Sequence, residues 1–357
     1  MGTTAKKALI YDQYLDTGGG GERYCLTVGE CLLKENWQVD LMWNDIADLK
    51  RAQERLNLDI SEISLVKKPD ITFPIVRNIL TKKYDLVFWL SDGSIPFLFG
   101  KKNLIHIQRP FLGTNVLTNK FKLGSRSKVV CNSEFTKKFI DREYSVDSEV
   151  LYPPVDIKKF KAGKKENIII GVGRFEQTRN AKRQDVLIEG FKKLVDGGIK
   201  NWKLVLVGSS LGPPETNVFL ADLKKLAKGY NIEFKVNASF CALIEAYSKA
   251  RIFWHAAGFG IDEKNEPWWT EHFGIVAVEA MASGCVPVVI NKGGLTEIVR
   301  RDVGETWDTI DMLVSKTKKI ISSLKLEERL RKNGFVRAEK FSKKKFCNKL
   351  IKLVGFE

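Results

Sequence analysis

Two carboxylates, Glu271 and Glu279, bracket the entry to a stretch otherwise written as protein interior. In TEHFGIVAVEAMASGCVPVVINKGG, residues 270–294, Glu279 is the only charged side chain between Phe273 and Ile290. An ionised carboxylate in such surroundings is costly unless hydrogen bonds satisfy it. Two neighbouring hydroxyls, such as the 2′ and 3′ groups of a ribose, suit an acceptor-only group. A helix is expected from Gly274 or Ile275 to Ser283, stopped by Gly284 ahead of the buried strand VPVVI. Glu271 then lies in the loop entering the helix and Glu279 in its body. The helix N-terminus offers unpaired N–H groups and a favourable dipole to a phosphate. The competing expectation for Glu279 is an ion pair with a lysine of its own domain.

Cations lie where a diphosphate would need them. Gly173-Arg174-Phe175 ends an apolar run, and Lys182 follows a polar loop. An arginine fork and a mobile lysine at the end of a parallel strand suit two linked phosphates. The loop EQTRNAKRQ leaves open whether Arg179, Lys182 or Arg183 makes the contact. Near the N-terminus, Asp16-Thr17-Gly18-Gly19-Gly20-Gly21-Glu22-Arg23 joins a strand to a helix, and its glycines let a backbone approach a phosphate or a sugar edge. GxGxxG is not satisfied, because its third glycine would fall on Arg23 or Tyr24. His106 ends the run NLIHI, and Asp92-Gly93-Ser94 follows the preceding run. Both are expected to line a cleft, against the alternative of a core histidine satisfied by backbone.

The elements that must hold these residues are legible as periodicity. KALIYD, QVDLMW, YDLVFWL, NLIHI and KVVCNS read as strands without alternation, separated by helical stretches such as GERYCLTVGECLLKEN. LYPPVDIKKFKAGKKEN (151–167) has no period and reads as a linker. The same grammar then restarts with NIIIGVGR, QDVLIEGFKKLVDG, WKLVLVGS and RIFWHA. Buried strands alternating with helices imply parallel sheets covered on both faces. The expected fold class is α/β, with doubly wound parallel-sheet domains at 1–155 and 156–330. The tail, 331–357, is expected to be a C-terminal helix packing back on the first domain.

Composition narrows the setting. The chain has 357 residues, 44% of them hydrophobic, and a net charge of +16 that favours an anionic partner. No run approaches the roughly 18 apolar residues of a membrane span. MGTTAKK lacks the apolar stretch of a signal peptide, and Lys6 breaks a myristoylation pattern. Six scattered cysteines without a CxxC pair suggest neither a zinc site nor a disulfide framework, so a reducing, cytoplasmic setting is expected. The stretch 101–128 contains no acidic residue and places Phe111, Leu112, Leu117 and Phe121 among its cations. An anionic membrane surface is one partner this suits, giving a peripheral location on its inner face.

GGGGER, NLIHIQRPF, VVCNSEFT, LYPPVD, GVGRF…KRQDVLIEGF, FWHAAGFG and E-HFGIVAV-E-AMASGCVPVV occur in an order that resembles family 4 glycosyltransferases across nearly the whole chain. GGGGER is similar to the α-1,2-mannosyltransferases of the Asn-linked glycan core, and WHAAGFG to bacterial enzymes of cell-surface glycans. The resemblance implies the GT-B fold, two Rossmann-like domains facing a cleft, with the first binding acceptor and the second the nucleotide sugar. It implies retaining, metal-independent transfer of a sugar from a nucleoside diphosphate donor to a glycan or lipid-linked acceptor, with no cofactor. GDP-mannose is favoured and a UDP-sugar is the alternative.

Carried over residue by residue, Arg174 and Lys182 neutralise the diphosphate, Glu279 holds the ribose, and Glu271 sits at the donor sugar near the amides of Phe273, Gly274 and Ile275. His106 contacts that sugar, Gly20 and Gly21 lie by the phosphates or acceptor, and His255 shapes the donor pocket. Asp92 and Ser94 line the cleft on the acceptor side. The resemblance further implies a front-face mechanism, in which the leaving phosphate accepts the acceptor's proton and Glu271 is not a nucleophile. Two rival readings stand beside this. One is a catalytically silent GT-B protein that partners an active enzyme. The other, a nucleic-acid-binding module, lacks any aromatic-and-basic recognition motif.

Overall fold

The expected apolar runs become two parallel sheets. The computed structural model describes residues 5–16, 20–67, 79–113, 116–177, 181–210 and 214–355. Thr17, Gly18, Gly19 and Arg179 thus lie outside the described residues. The chain divides into two compact units, Met1–Pro154 with Lys344–Glu357, and Val155–Lys343.

Among the described residues, the first unit holds seven strands: β1 (Lys7–Tyr11), β2 (Gln38–Met42), β3 (Ser64–Val66), β4 (Leu86–Leu90), β5 (Lys102–Ile107), β6 (Ser127–Cys131) and β7 (Glu149–Val150). Their order is β3-β2-β1-β4-β5-β6-β7. The helices are α1 (Gly20–Leu33), α2 (Ile46–Leu56), α3 (Val116–Leu123) and α4 (Glu134–Tyr144). LVFWL in β4 is buried at every position, which is what a parallel strand covered on both faces requires. Strand order reverses between β1 and β4, so the loops that follow these two strands flank the sheet's switch point. Ser133 starts α4 by accepting a hydrogen bond from the Thr136 amide at 3.0 Å.

The second unit holds β8 (Glu166–Val172), β9 (Lys203–Gly208), β10 (Ile232–Val236), β11 (Ala250–His255), β12 (Val286–Ile290) and β13 (Glu305–Trp307), in the order β10-β9-β8-β11-β12-β13 among the described residues. Around this sheet lie α5 (Gln184–Asp196), α6 (Pro214–Leu226), α7 (Phe240–Lys249), α8 (Ile275–Ala282), α9 (Leu295–Ile298), α10 (Ile310–Ile321) and α11 (Leu324–Glu339). Here the switch point falls between β8 and β11.

The C-terminal tail divides later than expected. α11 stays with the second unit, where buried Glu327 accepts from Arg251 and from Arg331. The return to the first unit begins at Lys344, in the last helix, α12 (Lys343–Val354). On α12, Phe346 meets the Tyr24 ring edge-on at 5.0 Å. The expectation of no disulfide is overturned on the same helix. Cys347 is bonded to Cys31 of α1, across 316 residues of sequence. Local spacing carries no trace of such a pair, because the returning helix alone brings the two thiols together. A cross-link closing so long a loop stabilises a fold by about 2–4 kcal/mol, chiefly by restricting the unfolded chain. Among the described residues, no helix is long and apolar enough to cross a membrane.

Candidate active site

The second unit gathers its expected site at the ends of β8 and β11. β8 runs out into Gly173-Arg174, and the Lys182 side chain crosses back over Gly173. A Cβ at Gly173 would stand 2.4 Å from Lys182 Cγ, so glycine is what lets the lysine lie there. Buried Gln184 secures the turn by donating to the carbonyls of Gly173 and Arg174, at 3.1 and 2.9 Å. Lys182 Nζ then reaches Glu271 Oε2 at 2.6 Å, and both side chains are 17% exposed. Burial opposes ionisation of Glu271, but Lys182 and then His255 outweigh it and hold the carboxyl well below the usual range.

His255, the last residue of β11, is buried with its Nε2 3.3 Å from the same Oε2. That contact is too far off-line to count as a full hydrogen bond. Nδ1 accepts from the Ala257 amide at 3.3 Å. Burial pushes the ring's pKa down, against the pull of Glu271, so the imidazole is neutral near pH 7 and its proton sits on Nε2. Arg183, an alternative to Lys182 at the sequence level, is otherwise engaged. It donates to Asp185 and, at 2.7 Å, to the Phe259 carbonyl. Arg174 is 57% exposed and pairs with Glu176 Oε1 at 2.8 Å.

The loop carrying Glu271 is clamped from behind by Gly293 and Gly294, to which the sequence alone assigns no role. Gly294 N–H donates to the Glu271 carbonyl at 2.7 Å, and Gly293 N–H donates to Glu263 at 2.7 Å. A doubled glycine after a buried strand was the available signal. Buried Phe273 follows, stacked edge-on against Phe341 at 5.5 Å. Gly274 then starts α8 at φ 100°, with no side-chain cap. Ile275 and Val276 are half-buried while the rest of the helix is buried. An uncapped helix start with no acidic residue in its first turn leaves its N–H groups to an anion.

Glu279 answers the question its sequence poses. It is 5% exposed and accepts from Tyr247 Oη on α7 at 3.3 Å. Burial and then the neighbouring carboxylate raise the Tyr247 pKa well above its ordinary value, which keeps the hydroxyl a donor. Ile275 and Glu279 are four residues apart and share a helix face about 6 Å along the axis. That spacing suits a phosphate at one end and a ribose at the other.

In the first unit the expectations separate. Gly20 opens α1, exposed, with open space where a Cβ would stand. At buried Gly21, a Cβ would come 2.9 Å from the Gln108 side chain. His106 is fully buried, stacked on Tyr24 at 3.9 Å, with Nδ1 donating to the Val130 carbonyl at 3.1 Å. Burial pushes its pKa down to about 3. The expectation of a sugar-contacting histidine is corrected here. The end of β5 lies beneath α1, which leaves the ring no surface to offer. Asp92 and Ser94 are exposed but satisfy one another, since Asp92 Oδ1 accepts the Ser94 amide at 3.0 Å and its hydroxyl at 2.7 Å.

Known proteins share both fold and sequence with this chain. A Dictyostelium discoideum protein named GDP-Man:Man(3)GlcNAc(2)-PP-Dol alpha-1,2-mannosyltransferase is 28% identical over 312 residues, covering 81% of this chain and 58% of its own length. The Mus musculus protein of that name is 29% identical over 272 residues, covering 66% of this chain and 52% of its own. The chain thus spans little more than half the length of these relatives. Among solved structures, a glycosyltransferase from Rickettsia africae ESF-5 superposes with a TM-score of 0.78 at 17% identity, covering 99% of this chain and 98% of its own. Anabaena HepE, solved with UDP and glucose, superposes with a TM-score of 0.72 at 15% identity, covering 98% and 99%. These likenesses show the GT-B fold. Residues 154–337, most of the second unit, match the family described as Glycosyl transferases group 1. A match over that span, which contains both glutamates and the Arg174 and Lys182 cations, makes this chain a member of the group 1 glycosyl transferases.

Proposed function

We propose that this protein transfers a sugar from a nucleoside diphosphate donor, with GDP-mannose favoured, to a glycan or lipid-linked acceptor. The observation that carries the reading is the meeting of Lys182, Glu271 and His255 beside the uncapped start of α8, at the second sheet's switch point. Lys182 and the exposed Arg174 neutralise charge on the departing diphosphate, a task that needs no metal in this account. Transfer is retaining. The C1–O bond to phosphate breaks, the C1–O bond to the acceptor forms on the same face, and the acceptor's proton passes to a phosphate oxygen. Glu279 holds the ribose and Glu271 the donor sugar. The names of the Dictyostelium and mouse relatives, which specify GDP-Man and a dolichol diphosphate glycan, support the choice of mannose and of a lipid-linked acceptor.

The test is thermal unfolding with GDP, UDP, ADP and a single-stranded oligonucleotide. At a hundred times its dissociation constant, a ligand adds about 2.7 kcal/mol of stability. GDP alone is expected to raise the midpoint. UDP alone would replace mannose by a sugar carried on uridine. A shift with the oligonucleotide alone, or with nothing, would turn the reading to the nucleic-acid module or the silent partner.

A lipid-linked acceptor sits at a membrane, and the first unit offers a surface suited to one. Phe121 is 79% exposed and meets exposed Phe97 at 5.9 Å, with Lys122 Nζ 5.8 Å from the Phe97 ring. Aromatic rings with cations beside them suit the interface of an anionic bilayer. The protein is expected to sediment with anionic vesicles at low salt and to be released by added salt. Phe121→Ser is expected to weaken the binding. Equal sedimentation with neutral vesicles would count against an electrostatic attachment.

A further inference from the structure

Glu271 Oε2 has one donor, Lys182, and a second nitrogen close by, His255 Nε2, and the two differ in character. Lys182 is a long, mobile side chain, and in the proposed reaction it turns to the diphosphate. His255 is fixed. It ends a central strand, is 2% exposed, and is held at Nδ1 by the Ala257 amide. The only N–H this neutral ring can then offer is on Nε2, 3.3 Å from Glu271 Oε2. The other oxygen, Oε1, takes no hydrogen bond among the described residues. The backbone is secured independently by the Gly294 amide on the Glu271 carbonyl.

We propose that His255 is a positioning residue for sugar transfer, its Nε2–H poised beside Oε2 of Glu271 to take over that oxygen, so that Oε1 stays aimed at a donor-sugar hydroxyl, when Lys182 leaves for the diphosphate. The inference rests on the donor-sugar role of Glu271 proposed above. It makes His255 something more than a wall of the pocket. A rigid donor keeps the carboxylate in place at the stage when its mobile partner is drawn away. Without it, Glu271 would be free to rotate as the reaction proceeds.

The first experiment needs no substrate. The chain has only three histidines, His106, His255 and His272, so imidazole nitrogen NMR of this chain resolves each ring. His255 is expected as the neutral Nε2–H tautomer, with a signal that moves on Glu271→Gln. His106, whose Nδ1 faces a carbonyl, is expected as the opposite tautomer. A His255 ring protonated at Nδ1, or one indifferent to Glu271→Gln, would overturn the proposal.

The second experiment is a double-mutant cycle read as GDP release from GDP-mannose without acceptor. His255→Leu is expected to lower kcat by about tenfold to a hundredfold, with KM little changed. His255→Gln, whose amide can replace the lost N–H, is expected to recover most of that loss. In a Glu271→Gln background His255→Leu is expected to cost less than about twofold, because residues acting through one another are not additive. Equal losses in both backgrounds, or no rescue by glutamine, would make His255 structural only. A wild-type protein that releases neither GDP from GDP-mannose nor UDP from UDP-glucose would count against the donor reading instead. In that case the NMR result still decides the geometry at His255.

Discussion

Lys182→Ala is expected to lower turnover by about a thousandfold and to destabilise the second unit by about 3–5 kcal/mol. The two losses have separate causes. Removing the lysine leaves Glu271 mostly covered, with its charge no longer compensated by the ammonium 2.6 Å away. It also removes a positive charge from the departing diphosphate. Adding Glu271→Gln to Lys182→Ala separates them: stability is expected to recover, because a neutral amide needs no counter-charge, while turnover stays low.

The stability difference also has a pH signature. The folded-state pKa of Glu271 is depressed, so its ion pair contributes fully above the unfolded carboxylate value of about 4.3 and is lost as pH falls through the folded value. Wild type and Lys182→Ala should therefore differ most above about pH 5. Their unfolding midpoints should converge as the solution is made more acidic. A constant difference across that range would show that Glu271 is not the group left uncompensated.

Gly293→Ala carries the second large effect, at a residue that touches no substrate in the proposed reaction. Its φ is +60°, and a Cβ there would stand 2.2 Å from the Glu271 carbonyl oxygen and 3.0 Å from Thr270 Oγ1. Backbone cannot yield as a flexible side chain does, so the loop bearing Glu271 must move. A displacement on the order of 1 Å is enough to cost about a hundredfold in turnover. The stability loss is expected at about 2–4 kcal/mol. Gly198→Ala is the control, because Gly198 also has a positive φ, +94°, yet nothing lies within 4 Å of a Cβ there. It should lose only the conformational part, about 1 kcal/mol, with turnover unchanged. If both variants behaved alike, the turn at Lys292-Gly293-Gly294 would not be setting the position of Glu271.

Much of this architecture is legible in one dimension. Strands such as LVFWL and VPVVI are apolar at nearly every position because both their faces are covered, and that leaves a continuous run instead of an alternation. The helix bearing Glu279 announces itself by Gly274 before it and Gly284 after it, both at positive φ. The short edge strands β3, β7 and β13 escape such reading, since two or three residues carry no period.

Read alone, the chain thus specifies the class of fold, the loops that end its strands, and the charged groups on or just beyond those loops: Arg174, Lys182, Glu271 and Glu279. Tertiary structure decided which group each one meets. It set Tyr247 against Glu279, and it brought His255 and Lys182 to one oxygen of Glu271. It also buried His106 under Tyr24 and joined Cys31 to Cys347. The reason is one of range. Periodicity is written by neighbours two to four residues apart. The partners that tune a carboxylate or close a disulfide lie 16 to 316 residues away and meet only when strand order and the returning helix bring them together.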